Sequence, residues 1–198
     1  RQQKVEVLDY EELAGLIDRE ALERFRASAL HPNHPVIRGT AENPDIYFQH
    51  CESANPFYEA IPDIVQDYMD RISTITGRSY HLFDYYGASD ADRVIVAIGS
   101  VTDICKEVSD ALNENGEKVG VLNVHLYRPF SVKHFIDQLP ESVKKIAVLD
   151  RTREPGAIGE PLFLDVQSAV TSSGRNIRVC GGRYGLGLSL IHISEPTR

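Results

Sequence analysis

Three places in this 198-residue chain join a buried-strand pattern to a helical one and carry residue types that could hold a ligand. At Gly99-Ser100, free backbone N–H groups at a helix start could receive an anion. One glycine is not a dinucleotide fingerprint, however, and no acidic partner follows downstream, so a plain βα turn with a Ser100/Asp103 capping box is the preferred reading. Between Asp150 and Pro161, Arg151 and Arg153 could pair with a carboxylate or phosphate, and Gly156 and Gly159 permit close backbone approach. This loop follows a strand at the end of the sheet where α/β proteins bind ligands. A domain-contact loop with solvated charges is nevertheless the favoured expectation. In Tyr127-Arg-Pro-Phe130, Arg128 is expected to anchor a neighbouring domain, with Pro129 and Phe130 forming a hydrophobic staple and helix start.

Earlier in the chain, Arg38-Gly-Thr-Ala-Glu-Asn43 concentrates a base, a hydroxyl, an acid and an amide. Arg38, Thr40 and Asn43 fit a site wall, and fit backbone hydrogen bonding in an irregular loop equally well. His31, His34 and His50 lack metal-ligand spacing. Cys51, Cys105 and Cys180 lie more than fifty residues apart, which excludes an iron–sulfur cluster built from this segment and favours a reducing compartment, the cytoplasm. No GxSxG, HExxH or Walker pattern occurs. Gly182 to Gly187 is glycine-rich but reads as a linker. The residues therefore offer no catalytic group, no assignable cofactor contact and no metal site.

The elements that must position these junctions follow from periodicity. A net charge of −8 disfavours nucleic acid as a partner, and 42% hydrophobic with 25% charged residues is ordinary for a folded soluble chain. No apolar run approaches the roughly 20 residues needed to cross a bilayer. Val5, Val7 and Leu8 read as a short strand. A helix capped by Asp9 and Glu12 follows, with a break expected near Asp18. Five prolines between Pro32 and Pro62 argue against a long helix, so this stretch reads as an ordered connection packed on a larger surface. Pro62 is expected to open a helix that Gly77 ends.

Beyond Tyr80 the texture changes. Leu82–Tyr86 reads as an edge strand, and Val94–Ile98 as a strand covered on both faces. Helix Val101–Asn115 should turn Ile104, Val108, Ala111 and Leu112 inward. Strand Lys118–His125, a short helix capped by Ser131, strand Lys145–Asp150, helix Pro161–Ser173 and strand Ile177–Gly181 complete the alternation. Strand and helix at βαβ spacing predict an α/β fold, with a parallel or mostly parallel sheet and helices on both faces. The first residues, Arg1-Gln-Gln-Lys4, lack an initiator Met and suggest an internal fragment. Residues 188–198 resemble a translated sequencing-library adapter and are set aside as a non-native tail.

Nine strings, in order, carry a resemblance: Val7-Leu-Asp-Tyr10, His34-Pro-Val-Ile-Arg-Gly-Thr40, Asn43-Pro-Asp-Ile-Tyr-Phe48, Ala54-Asn-Pro-Phe-Tyr58, Thr76-Gly-Arg-Ser-Tyr80, Leu126-Tyr-Arg-Pro-Phe130, Val148-Leu-Asp-Arg-Thr152, Glu154-Pro-Gly156 and Gly182-Arg-Tyr-Gly-Leu-Gly187. Together, from about Val5 to Gly187, they resemble the pyruvate:ferredoxin (flavodoxin) oxidoreductases. The resemblance implies that residues 1–80 are the end of the family's first domain, which forms half of its thiamine diphosphate site. Residues 81–187 would then be the second domain, similar to the C-terminal domain of transketolases.

For the whole enzyme the resemblance implies oxidative decarboxylation of pyruvate to acetyl-CoA and CO2 in anaerobic metabolism. Thiamine diphosphate and magnesium would serve the reaction, [4Fe-4S] clusters would pass electrons to ferredoxin or flavodoxin, and coenzyme A would take the acetyl group in a homodimer. The family's cofactor-contacting motifs and cluster cysteines have no counterpart here, so the expected role is structural. Two alternatives stand beside it. One is a stand-alone module of the transketolase C-terminal type, or a subunit of a related 2-oxoacid oxidoreductase. The other is a nucleotide-binding protein, which rests on Gly99-Ser100 alone.

Overall fold

A computed structural model describes residues 5, 7–37 and 39–185. The chain divides into two compact units between Ser79 and Tyr80.

The first unit is helical. Helix α1 (Tyr10–Leu16) starts at the expected capping box: the Asp9 carboxylate accepts from the Glu12 N–H at 2.8 Å, and the Glu12 carboxylate accepts from the Asp9 N–H at 2.9 Å. The chain breaks at Ile17 and Asp18, and Asp18 caps α2 (Arg19–Ala27) through the Ala21 N–H. Val5, Val7 and Leu8 are not a strand, and among the described residues of this unit there is no sheet for them to join.

The proline-rich stretch also departs from expectation. It contains α3 (Pro44–Ser53) and most of the first half of α4 (Asn55–Thr76). Pro44 and Pro56 sit in the first turns, where the missing N–H would have lacked an intrahelical partner anyway. Pro62 does not open a helix but lies within α4, the single buried residue that any of these four helices contributes. Gly77 closes α4 with φ +68°, as a left-handed cap requires. The Arg71 guanidinium ties α4 to α1 by donating to the Gly15 carbonyl at 2.9 Å.

The second unit holds a five-stranded sheet of β1 (Phe83–Gly87), β2 (Arg93–Ala97), β3 (Val119–Val124), β4 (Lys145–Asp150) and β5 (Arg178–Arg183), in the order β1-β3-β2-β4-β5. All neighbours are parallel except β1, which runs antiparallel to β3 at one edge. Helices α5 (Val101–Glu114), α6 (Val132–Asp137) and α7 (Pro161–Ser173) fill the connections. The step from β2 through α5 to β3 moves one way across the sheet, and the step from β4 through α7 to β5 moves the other. Right-handed crossovers therefore place α5 on one face and α7, with α6 beside it, on the other. This is the expected mostly parallel α/β fold.

Coverage on both faces explains why Val94, Val96, Val121, Leu122, Ile146 and Val148 are all buried. Phe130, preceding the Ser131 cap, meets Phe135 at 5.4 Å between ring centroids, the anticipated staple. Phe83 joins both rings, at 5.3 and 5.6 Å.

Helix α5 corrects the sequence reading twice. Its buried line is Val101, Thr102, Cys105 and Ser109, while Ile104, Val108, Ala111 and Leu112 are exposed. The small face lies inward because it brings the helix close enough for the Ser109 hydroxyl to donate to the Val119 carbonyl at 3.0 Å. The predicted Ser100 capping box is absent as well. Ser100 takes helical dihedrals and makes no cap bond; Thr102 Oγ1 donates instead to the Gly99 carbonyl at 2.7 Å.

Candidate functional site

In an open parallel sheet, successive strand connections that leave in opposite directions open a crevice at the strands' carboxyl ends. Here that point lies between β2 and β4, the central parallel neighbours. A cavity of about 400 Å³ occupies it. Ile98, Gly99 and Ser100 come from the end of β2, and Leu149 to Thr152 from the end of β4. Tyr127, Pro161, Leu162 and Tyr184 close the remaining walls. Gly99 holds φ +78°, a conformation open to glycine at little cost, and this lets the chain turn sharply off β2 into α5.

Asp150 organises one side of the cavity. The N-cap residue of α7, Glu160, makes no side-chain cap bond, and Asp150 takes over from ten residues upstream. Its two carboxylate oxygens accept from the N–H groups of Leu162 at 3.0 Å and Phe163 at 3.1 Å. Burial raises the Asp150 carboxyl above its ordinary value. The two N–H bonds oppose that shift, and the charges of Glu160 and Asp165 reinforce it. Glu160 is occupied too, pairing with Arg183 at 3.0 Å and accepting from the Glu154 N–H at 2.7 Å. The start of α7 is thus already supplied with protein carboxylates, which leaves no place there for an incoming anion.

Arg128 is exposed and also has partners within its own unit. Its guanidinium pairs with Asp165 of α7 at 2.6 Å and stacks over the Tyr127 ring at 4.1 Å. It also donates to the Tyr127 hydroxyl at 3.1 Å. Burial pushes Tyr127 up to about 12, with hydrogen bonding to Asp165 adding to the effect and Arg128 opposing it.

The other candidates separate. Arg151 lines the cavity and donates from Nε to the Gly185 carbonyl at 3.2 Å. Arg153 is exposed and not part of the wall. In the helical unit, Thr40 lines an open hollow of about 630 Å³ with Ile37, Gly39, Glu42, Tyr47 and His50. There the His50 ring meets the Glu42 carboxylate at 3.0 Å. Asn43 is the N-cap residue of α3, but its side chain makes no cap bond. Arg38 lies outside the described residues, as do residues 188–198.

The structure therefore joins two junctions that the sequence presented as unrelated, Gly99-Ser100 and Asp150-Arg151. Sequence reasoning missed Tyr127 and Tyr184 as walls and Asp150 as a cap. Their shared signal is that each lies at or just past the end of a strand; which strands are neighbours depends on a strand order that spacing does not encode.

Comparison with known proteins accounts for both units. Residues 1–70 match the family model described as "Pyruvate flavodoxin/ferredoxin oxidoreductase, thiamine diP-bdg". Residues 91–195 match "Pyruvate:ferredoxin oxidoreductase core domain II". A pyruvate-flavodoxin oxidoreductase of Enterobacter agglomerans is 62% identical over 185 residues, which is 93% of this chain and 16% of the relative. A pyruvate:ferredoxin oxidoreductase of Moorella thermoacetica is 57% identical over the same shares. A probable pyruvate-flavodoxin oxidoreductase of Escherichia coli is 50% identical, over 92% of this chain and 16% of its own. The chain spans 16% of the length of these relatives. Since the core domain II match alone takes in more than half of the residues, the chain belongs to the pyruvate:ferredoxin (flavodoxin) oxidoreductase family.

Proposed function

We propose that this chain is a supporting segment of an enzyme that oxidatively decarboxylates pyruvate to acetyl-CoA and CO2 and passes electrons to ferredoxin or flavodoxin. The observation that carries this reading is 62% identity to a pyruvate-flavodoxin oxidoreductase across 93% of the chain. Residues 1–80 are assigned to the end of the thiamine diphosphate-binding first domain and residues 81–187 to the transketolase-like second domain. Residues 188–198 are read as a foreign tail, although the domain II match runs to residue 195. The parent enzyme is read as a cytoplasmic homodimer.

The parent's metal ion and iron–sulfur clusters find no donor set among the described residues. Among the described residues no group of three or more His, Cys, Asp or Glu could hold a metal ion, and Cys51, Cys105 and Cys180 stand apart as free thiols. We assign the groups that hold magnesium and the [4Fe-4S] clusters to other parts of the longer protein; for thiamine diphosphate, residues 1–80 are read as the end of the domain that forms half of its site, in keeping with the family match over residues 1–70. Near the switch-point cavity Asp150 holds the α7 N–H groups, Glu160 pairs with Arg183 and Asp165 with Arg128, as structural groups do. Arg38, Thr40, Asn43, Arg128, Arg151 and Arg153 are assigned to packing and domain contact, with no reacting role.

Pyruvate-dependent dye reduction tests the assignment. The isolated 198-residue chain, given thiamine diphosphate, magnesium and coenzyme A, should show no turnover. The same residues placed within a full-length relative in exchange for its own segment should support it. Turnover by the isolated chain, or an inactive but folded chimaera, would overturn the reading.

A further inference from the structure

The switch-point cavity has a second property that the supporting role leaves unused: its hydrogen-bonding groups are unevenly committed. Asp150, the carboxylate in its wall, is occupied by the N–H groups of Leu162 and Phe163. Its donors are not. Among the described residues the Ser100 hydroxyl makes no cap bond, and the Arg151 guanidinium spends Nε alone, on the Gly185 carbonyl. Thr152 and Tyr184, both hydroxyl-bearing residues, line the same cavity. Arg151 lies close enough to Tyr184 for its charge to act on that phenol. The rest of the lining is apolar or aromatic: Ile98, Leu149, Pro161, Leu162 and the ring of Tyr127.

A concave, mostly apolar space with a few convergent polar groups is the usual form of a small-molecule site, and about 400 Å³ is within the usual size. Because the acid is committed and the cation and hydroxyls remain available, the complementary ligand is an acceptor carrying negative charge. Two tyrosines and an aliphatic lining favour a flat apolar body behind that charge.

We propose that this cavity binds a small planar organic anion, an aromatic ring bearing a carboxylate or phosphate, with its charge on Arg151 and its ring against the tyrosine and leucine wall. The proposal rests on the geometry of the cavity and not on any step of the parent's reaction. It therefore stands or falls separately from the pyruvate oxidoreductase reading.

Calorimetric titration of the 198-residue chain with benzoate, phenyl phosphate and uncharged benzyl alcohol tests it, with saturation-transfer NMR to show which ligand protons touch protein. At least one of the two anions should bind ten-fold or more tightly than benzyl alcohol, and their order distinguishes carboxylate from phosphate. Arg151→Gln should weaken the better anion at least ten-fold. The paired change Ser100→Ala with Thr152→Val should weaken it several-fold, and Lys133→Gln, on exposed α6 surface, should leave it unchanged. Circular dichroism would establish that each variant is folded. Failure of both anions to bind at 10 mM would overturn the proposal. So would equal binding of the neutral alcohol, or unchanged affinity in both folded cavity variants.

Discussion

The two units have similar kinds of residue and opposite relations to water. Among the described residues of the sheet unit, twenty-two hydrophobic ones are buried, including Phe83 and Phe135 at 0% exposure. In the helical unit, Phe25 is 75% exposed and Phe57 76%, and Pro62 is the one residue of its helices that is buried. Local signals in both are sound: Asp9, Asp18 and Gly77 cap their helices as well as Ser131 and Gly174 cap theirs. What differs is whether the apolar faces find a partner within the unit. Helical propensity and capping define where helices begin and end, but tertiary burial supplies most of their stability. The helical unit reads as a surface layer of a larger body, and the sheet unit as a body with its own core.

Separating the two units should break this comparison most visibly. Residues 80–198 produced alone should unfold in urea in one cooperative transition, with near-ultraviolet signals from fixed aromatic rings. Residues 1–79 alone should show helical circular dichroism without a cooperative transition, and should associate through exposed apolar patches. A cooperative, monomeric 1–79 would end the distinction.

A matched pair of substitutions sharpens it. Phe135 is fully buried against Phe83 and Phe130, so Phe135→Ala should destabilise the sheet unit by about 3–5 kcal/mol. Phe57→Ala removes the same atoms from an exposed position on α4 and should change the stability of the 198-residue chain by less than about 0.5 kcal/mol. Chemical denaturation of the two variants measures both. Comparable losses would mean that Phe57 has a burial partner after all.

Legibility in the sequence followed the same divide. Strands β2 and β4 and helix α7 announced themselves through continuous apolar runs and local stops, since burial on both faces leaves a one-dimensional mark. Prolines obscure helices α3 and α4, because Pro44 and Pro56 carry the same sequence signal as helix breakers while each stands at a helix start. The inward face of α5 was misjudged for another reason. Ile104, Val108 and Leu112 follow helical spacing as well as Val101, Cys105 and Ser109 do, and only close packing on β3 selects the smaller set. The cavity was the least legible feature. Its walls come from residues 98–184, and their convergence depends on β2 lying beside β4 rather than on any motif.

The smallest effect in this series concerns Asp150, which connects the core to the cavity. Asp150→Asn keeps one acceptor oxygen for two N–H groups, so it should cost about 1 kcal/mol, the usual worth of a helix cap. The pH dependence of that difference is the sharper measurement. The Asp150 carboxyl titrates above its ordinary value of 3.8 in the folded chain. As pH rises through that value the unfolded chain loses its proton first, so ionisation favours unfolding until the native carboxyl also ionises. The wild-type advantage over Asp150→Asn should therefore be largest at the acid end, decline between 3.8 and the raised native value, and stay level above it. A difference that instead grew with pH would mean that the α7 N–H groups outweigh burial at this carboxylate, and that its charge is held in place by the helix rather than tolerated by it.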